Sequence, residues 1–283
     1  MNPSNLVSVV ITTYNRSDAL LAVLEGFVRQ VDRNFEVIVA DDGSRTDHRQ
    51  AILESAAARA LHAVHVWHPD VGFSLNKNRN NGVAASNGKY LIFMDGDCVP
   101  EVDFIAQHRR LAEPGYFVNG SRVLLSQELT YAVIKAGEHI FGRSWLYWSG
   151  QYFSRNINKI THLLRLPDGK FRIHKDFKWK GIRGCNLAAW RCDYELVDGF
   201  DESFVGWGHD DADFVLRLHH AGVVRKNGYC ATEVYHLWHQ EASRNNVSLN
   251  ADTVRERVKT DIVRSTLGYS QNHLSGDVVV TRL

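Results

Sequence analysis

Tyr90-Leu91-Ile92-Phe93-Met94-Asp95-Gly96-Asp97 is the stretch on which the reading of the fold turns. Its apolar run is short, and it reads as a strand covered on both faces. It stops on two carboxylates separated by a glycine. Working outward from it, the same plan recurs toward the N-terminus. Residues 7–11 form a run that ends in Thr12-Thr13-Tyr14-Asn15-Arg16, and residues 35–40 form one that ends in Asp41-Asp42-Gly43-Ser44. Between these runs, residues 18–31 carry Leu20, Leu21, Val23, Leu24, Phe27 and Val28 at helical spacing. Helices are expected at 51–61 and 76–86, and a further strand at 63–67. Strand–helix alternation with continuous apolar strands predicts an α/β fold, a mostly parallel sheet covered by helices. Ligands of such sheets bind beyond the carboxyl ends of the strands, so the three polar clusters should converge on one cleft.

The 283 residues, 44% of them hydrophobic, suffice for one large domain or two tightly fused ones. A net charge of +1 gives no whole-molecule attraction to nucleic acid. Cys98, Cys185, Cys192 and Cys230 are scattered, without a C-x-x-C pair, and read as reduced core thiols. No segment approaches the roughly 18 apolar residues of a membrane span, and the early strand pattern predicts no signal peptide. A cytoplasmic protein is expected, with a peripheral contact to the inner membrane as an option. Residues 126–180 hold ten Lys/Arg against four Asp/Glu, with many aromatics. They read either as a helical excursion plus a hairpin with a solvated basic face, or as a surface for an anionic glycolipid or phosphorylated saccharide. Residues 252–267 predict a charged helix, followed by a polar tail.

Three constellations carry chemistry. Asp95 and Asp97 offer hard oxygen ligands suited to Mn²⁺ or Mg²⁺, ions that bridge diphosphate oxygens, and Gly96 lets a phosphate approach. Far downstream lies Gly206-Trp207-Gly208-His209-Asp210-Asp211-Ala212-Asp213. Adjacent like charges raise one carboxyl pKa, which suits a general base. Helix N-terminal acids are the plainer alternative, and Asp213 is read that way. His236 and His239 follow, either two surface imidazoles or metal ligands; imidazole does not name the metal. Weaker signals are Asp41-Asp42-Gly43-Ser44, a turn or a nucleoside contact, and Arg79-Asn80-Asn81-Gly82, a helix surface or a diphosphate contact. Gly184-Cys185-Asn186 reads as a bent strand entry or a donor-sugar contact.

Taken together, residues 9–16, Asp41-Asp42-Gly43-Ser44, Arg79-Asn80-x-Gly82 and Tyr90 to Asp97 resemble the nucleotide-sugar half of inverting GT-A glycosyltransferases of family 2. The part from Gly184 to His239 resembles the C-terminal part of β-1,4-galactosyltransferases and of chondroitin-polymerase-type enzymes. The resemblance covers roughly residues 5–245. It implies a Rossmann-like nucleotide-binding half at 1–97, an acceptor- and metal-binding half at 98–250 with an insertion at 126–180, and a C-terminal helix and tail at 251–283. It also implies roles. Thr13, Tyr14, Arg16, Asp42, Arg79 and Asp95 would bind the UDP-sugar, with Gly184 and Asn186 against the donor sugar. Asp97, His239 and His236 would hold Mn²⁺ or Mg²⁺. Asp211 would be the base, with Asp210 beside it contacting acceptor or donor sugar, and Trp207 would form the sugar platform.

His209 stands where galactosyltransferases carry Gly, Asp210 where they carry Glu, and Ala212 where some relatives have a third acid. The Q-x-x-R-W motif of processive synthases is absent. The implied function is transfer of one sugar to a saccharide or lipid-linked saccharide acceptor in bacterial surface glycan synthesis: lipopolysaccharide, O-antigen or capsule. Two other readings are a sugar-nucleotide pyrophosphorylase, whose expected Gly-rich first loop is missing here, and a non-catalytic sugar-binding module on the same fold.

Overall fold

A computed structural model of the chain describes residues 6–240, 247–272, 274 and 276–283. Its strands are β1 (Val7–Thr13), β2 (Phe35–Asp41), β3 (Val64–Trp67), β4 (Tyr90–Asp95), β5 (Cys98–Pro100), β6 (Tyr116–Asn119), β7 (Ser121–Leu124), β8 (Ile173–His174), β9 (Asn186–Trp190), β10 (Val224–Asn227), β11 (Glu233–His236) and β12 (Val279–Arg282). Nine of them form one sheet in the order β12-β3-β2-β1-β4-β9-β6-β10-β8. β1, β2, β3, β4, β6 and β10 share one direction; β9, β8 and β12 run against it. The expected mostly parallel α/β sheet is therefore present. It is continuous across residue 97, because β4 pairs with β9.

Two apolar layers sandwich the sheet. Val9 and Ile11 point into one layer with helix Ser17–Val28, while Val10, Leu91 and Phe93 point into the other with helix Asp210–His220. This is the alternation of a pleated strand buried on both faces. A small second sheet, β5-β11-β7, takes over where the chain leaves β4.

Four local expectations change. The helix expected at 51–61 is two helices, Thr46–Leu53 and Ala56–Ala60, because the Ser55 hydroxyl caps the second by accepting the Ala58 N–H at 3.2 Å. Residues 126–180 contain no hairpin of their own: they form helices Gln127–Lys135 and Trp145–Phe153, and two-residue β8 pairs with distant β10. The helix expected at 252–267 is Val247–Arg257. The polar tail contains β12, which closes the sheet edge against β3. Cys98, Cys185 and Cys230 are buried free thiols as expected, whereas Cys192 is exposed.

Candidate active site

Register delivers the polar clusters to one edge: Thr13 lies opposite Asp41, and Thr12 opposite Asp95. Gly96 is required where it stands, since a Cβ there would sit 2.8 Å from the Thr12 carbonyl oxygen. Its N–H donates to that same oxygen at 2.7 Å. Asp97 is thereby thrown onto the start of the small sheet, where β11 runs beside β5 and places His236 opposite Cys98.

The imidazoles close on Asp97 from the other side. His236 Nε2 lies 3.8 Å and His239 Nε2 3.3 Å from the Asp97 carboxylate oxygens. His239 Nδ1 lies 2.8 Å from the Gln240 carbonyl oxygen, which can only accept, so Nδ1 carries the proton. Nε2 therefore faces the Asp97 carboxylate across a gap that either a proton on the ring or a cation between the two would satisfy. Burial pushes the His236 pKa down, with Asp97 opposing, so this ring favours the neutral ligand form. Cis ligands of an octahedral ion bound at about 2.1 Å lie about 3 Å apart, and each imidazole nitrogen lies somewhat beyond that distance from the Asp97 carboxylate. The candidate ligand atoms of Asp97, Cys98 and His236 lie within 4.8 Å of one another, whereas His239 stands outside that group and meets the site through Asp97.

Arg79 joins this end of the molecule to the downstream acids. It is 2% exposed, donates to Asp210 at 2.7 Å, lies 3.6 Å from Asp95, and packs its guanidinium over Phe200. Arg79-Asn80 is therefore no helix surface. Asn76, Asn78 and Asn80 of the same helix, Leu75–Ala84, are buried too, bonding the carbonyls of Asp201, Ala40 and Phe200. Asp211 is half-buried and held at both oxygens, by the Gly184 N–H at 2.9 Å and the Ala212 N–H at 2.8 Å. Each oxygen keeps a lone pair. Desolvation in the cleft wall, and then the neighbouring Asp210, raise the Asp211 pKa, while the Gly184 N–H and Arg79 oppose the rise.

The loop before these acids has an unusual backbone. Gly206, Gly208 and His209 all have positive φ, at 76°, 111° and 65°. His209 thus accepts a left-handed conformation at the position where the resemblance pointed to Gly, and its ring sits 5.5 Å from that of Trp179. The Asn250 side chain braces the loop by donating to the Gly208 carbonyl at 2.9 Å. Trp207, on the same loop, is 44% exposed, as a sugar platform would need to be. Asp213 faces away from the cleft: fully buried, it pairs with Arg217 at 2.8 Å and Arg257 at 2.6 Å. It is a structural ion pair rather than a simple helix-terminal acid.

At the β1–β2 end, Asp42 accepts from the Ser74 N–H at 3.1 Å and from the Ser74 hydroxyl, and lies 3.2 Å from His68 Nε2. Asp41 is buried against His65 at 3.0 Å. Gly43, at φ 86°, has the Asp70 backbone 2.5 Å from where a Cβ would stand. Tyr14 is half exposed and donates to Asp70 at 2.9 Å, Thr13 is nearly buried, and Arg16 pairs with Asp18 at 3.0 Å. Asn186 is fully buried, its amide bonding the Ser121 carbonyl at 3.0 Å, the Thr232 carbonyl, and His108 at 3.1 Å. That makes it a strut under the sheet, and its side chain does not reach the cleft. His65, His68 and Ser74 carried no signal in the sequence, because single histidines and serines outside a motif look like any others.

Known proteins resemble the chain over most of its length. The model of "Glycosyl transferase family 2" matches residues 8–177, and that of "N-terminal domain of galactosyltransferase" matches residues 170–240. A validoxylamine A glucosyltransferase of Streptomyces hygroscopicus is 29% identical over 87% of this chain and 60% of its own length. A chondroitin synthase of Escherichia coli is 26% identical over 76% of this chain and 32% of its own length. The chain therefore spans less than two thirds of the length of these relatives. Among solved structures, a mannosyltransferase from Pyrobaculum calidifontis in complex with GDP-Man and Mn²⁺ superposes with a TM-score of 0.56 at 18% identity, over 85% of this chain and 59% of its own. That likeness shows the shared fold.

Proposed function

Because the chain belongs to glycosyl transferase family 2, we propose that it moves one sugar from a UDP-sugar to a hydroxyl of a saccharide acceptor, with inversion, using Asp211 as general base. The observation that carries this reading is the Arg79 bridge. One buried guanidinium binds both Asp95 and Asp210, so the two acidic motifs share one cleft despite the 114 residues between them.

The acceptor hydroxyl would donate to a free lone pair of Asp211. As its oxygen bonds the anomeric carbon, Asp211 takes the proton and the bond from that carbon to the diphosphate breaks. A positioned base of this kind contributes about 10²–10⁴-fold. Gly184 fixes the direction of the carboxylate, Arg79 holds Asp210 beside it, and Trp207 offers an apolar face to the acceptor ring. Asp97, His239 and His236 would hold Mn²⁺ or Mg²⁺, which when bound supplies positive charge to the departing diphosphate. Asp42, Thr13 and Tyr14 line the end of the sheet where the nucleotide would lie.

The acceptor is proposed to belong to a bacterial surface glycan, free or lipid-linked. Exposed Trp145, Leu146 and Phe153 on helix Trp145–Phe153 support a peripheral membrane contact, which co-sedimentation with anionic vesicles tests. No helix among the described residues is long and apolar enough to cross a membrane. A screen of UDP-sugars and GDP-mannose for Mn²⁺-dependent release of nucleotide, with and without saccharide, tests the transferase reading. Asp211→Asn should lower transfer by about 10²–10⁴-fold with donor affinity unchanged. Wild-type transfer by this variant would remove the base assignment. His239→Ala should raise the metal requirement by about tenfold or more.

A further inference from the structure

Gly181 and Arg183 help to line a cavity of about 300 Å³, at the lower end of the usual small-ligand size range. Its wall carries Arg122, Lys159, Arg183 and Arg225. Among the described residues none of the four forms an ion pair. Their hydrogen bonds go to neutral groups: Arg183 to the Ile182 carbonyl at 2.9 Å, Arg225 to the Lys178 carbonyl at 3.1 Å, Lys159 to the Ser121 hydroxyl, and Arg122 to the Cys185 sulfur at 3.7 Å. Arg225 Nε is buried without a partner.

Elsewhere the protein neutralises such groups. Lys226, one residue along, binds Glu113 at 2.6 Å and Asp168 at 2.7 Å, and Arg165 binds Asp103 at 2.7 Å. In the cavity Lys159 and Arg225 instead face opposing cations, while Arg122 is also drawn by Asp95. Burial and then Arg183 push the Arg225 pKa down. Burial also lowers that of Lys159; Glu233 opposes this from behind, and Arg183 and Arg122 reinforce it. A cluster of this kind is stable at low cost only when an anion completes it.

The walls are built for an occupant. Arg172, 1% exposed, clamps one rim by donating to the carbonyls of Asn227 at 2.8 Å and Tyr229 at 2.7 Å. On the opposite wall, Asn119 bonds the Gly181 carbonyl at 3.0 Å and accepts the Arg183 N–H at 3.0 Å. Position in the sheet then selects what enters. The order β2-β1-β4-β9-β6-β10 puts the nucleotide loops on one side of the transfer centre and this cavity, at the ends of β6 and β10, on the other.

We propose that this cavity is an anion subsite that takes a carboxylate or phosphate group carried by the acceptor saccharide, and so selects acidic acceptors. The word acceptor rests on the transferase reading above; the binding of an oxyanion does not.

Calorimetric titration without added metal tests it, with glucose, glucuronate, glucose 6-phosphate and inorganic phosphate as probes. Glucuronate or glucose 6-phosphate should bind at least about tenfold more tightly than glucose, and R225Q and R183Q should each lose about tenfold of that preference. Which acidic sugar binds better decides between carboxylate and phosphate. Both variants should keep metal-dependent donor hydrolysis within about twofold of wild type, since neither side chain serves the transfer centre. Equal binding of glucose and the acidic sugars, or an unchanged preference in both variants, overturns the subsite. If R225Q fails to fold, R183Q decides alone. Intact anion selectivity with no transfer from any donor would overturn the acceptor assignment and the transferase reading while leaving the anion site standing.

Discussion

The carboxylates at the end of β2 and those at and after the end of β4 and at the start of helix Asp210–His220 look alike in sequence, yet the structure treats them oppositely. Asp41 and Asp42 each have a histidine, and Asp42 has Ser74 as well. Around the transfer centre, Asp95, Asp97, Asp210 and Asp211 share one arginine and two imidazoles. The first set is balanced and orders loops. The second is left short of positive charge, as a site awaiting a cation would be. The basic cavity on its far side is the mirror case.

The sharpest way to break this contrast is to unbalance a balanced pair. Asp213→Ala would leave buried Arg217 without its carboxylate and Arg257 with Asp201 alone, and should cost about 3–5 kcal/mol of stability in denaturant unfolding. A loss below about 1 kcal/mol would mean that the buried charges are not mutually dependent. Within the transfer centre, the expected effect falls on rate rather than stability. A methyl at Gly184 would stand 3.1 Å from Arg79 Nη2 and 3.2 Å from Asp211 Cβ. Gly184→Ala should therefore lower kcat by about 10- to 100-fold through displacement of the base, with little change in donor KM.

Acidity separates the transfer side from the aromatic packing around His162. The Asp211 pKa is raised, so its base form is lost as pH falls through a value above the ordinary carboxylate range, and the acid limb of kcat/KM should lie there. In Asp210→Asn the neighbouring charge that lifts this pKa is gone and Arg79 is released toward Asp211, so the limb of the residual activity should move to lower pH. A limb that stays put would detach Asp211 from the titration. His162 works in the opposite sense, on stability. Burial among Trp148 and Tyr235 holds its pKa down to about 4, so the unfolded chain binds the proton first. Its contribution is complete above the unfolded value and is lost as pH falls from about 6.5 toward that folded value. His162→Phe should flatten the stability curve over that window.

The smallest expected effect tests strain at the transfer side. His209→Gly relieves a left-handed non-glycine backbone and should raise stability by about 0.5–1 kcal/mol, less what the ring gains against Trp179. A destabilised variant would show that the ring contact outweighs the backbone.

Much of the parallel core was legible because apolar runs that stop on polar residues report strands directly, and their carboxyl ends report the cleft. The acidic and histidine motifs were legible as residue types with a known chemistry. The antiparallel insertion of β9, the break at Ser55, the hairpin that did not form and the edge strand β12 were not, since strand partners and caps depend on segments distant in the chain. Asn186 shows the limit for a single residue: it sits in a recognisable motif, yet its amide points under the sheet.

The sequence by itself determined the family, the fold class and the inventory of acids and imidazoles, because those depend on local periodicity and residue chemistry. Only the tertiary structure decided which charges meet. Arg79 reaches both Asp95 and Asp210, Asp213 goes to Arg217 and Arg257, and Arg122, Lys159, Arg183 and Arg225 form no ion pair among the described residues. Electrostatic pairing acts over a few ångströms in space and is indifferent to distance along the chain, so composition can balance to +1 while the site stays unbalanced.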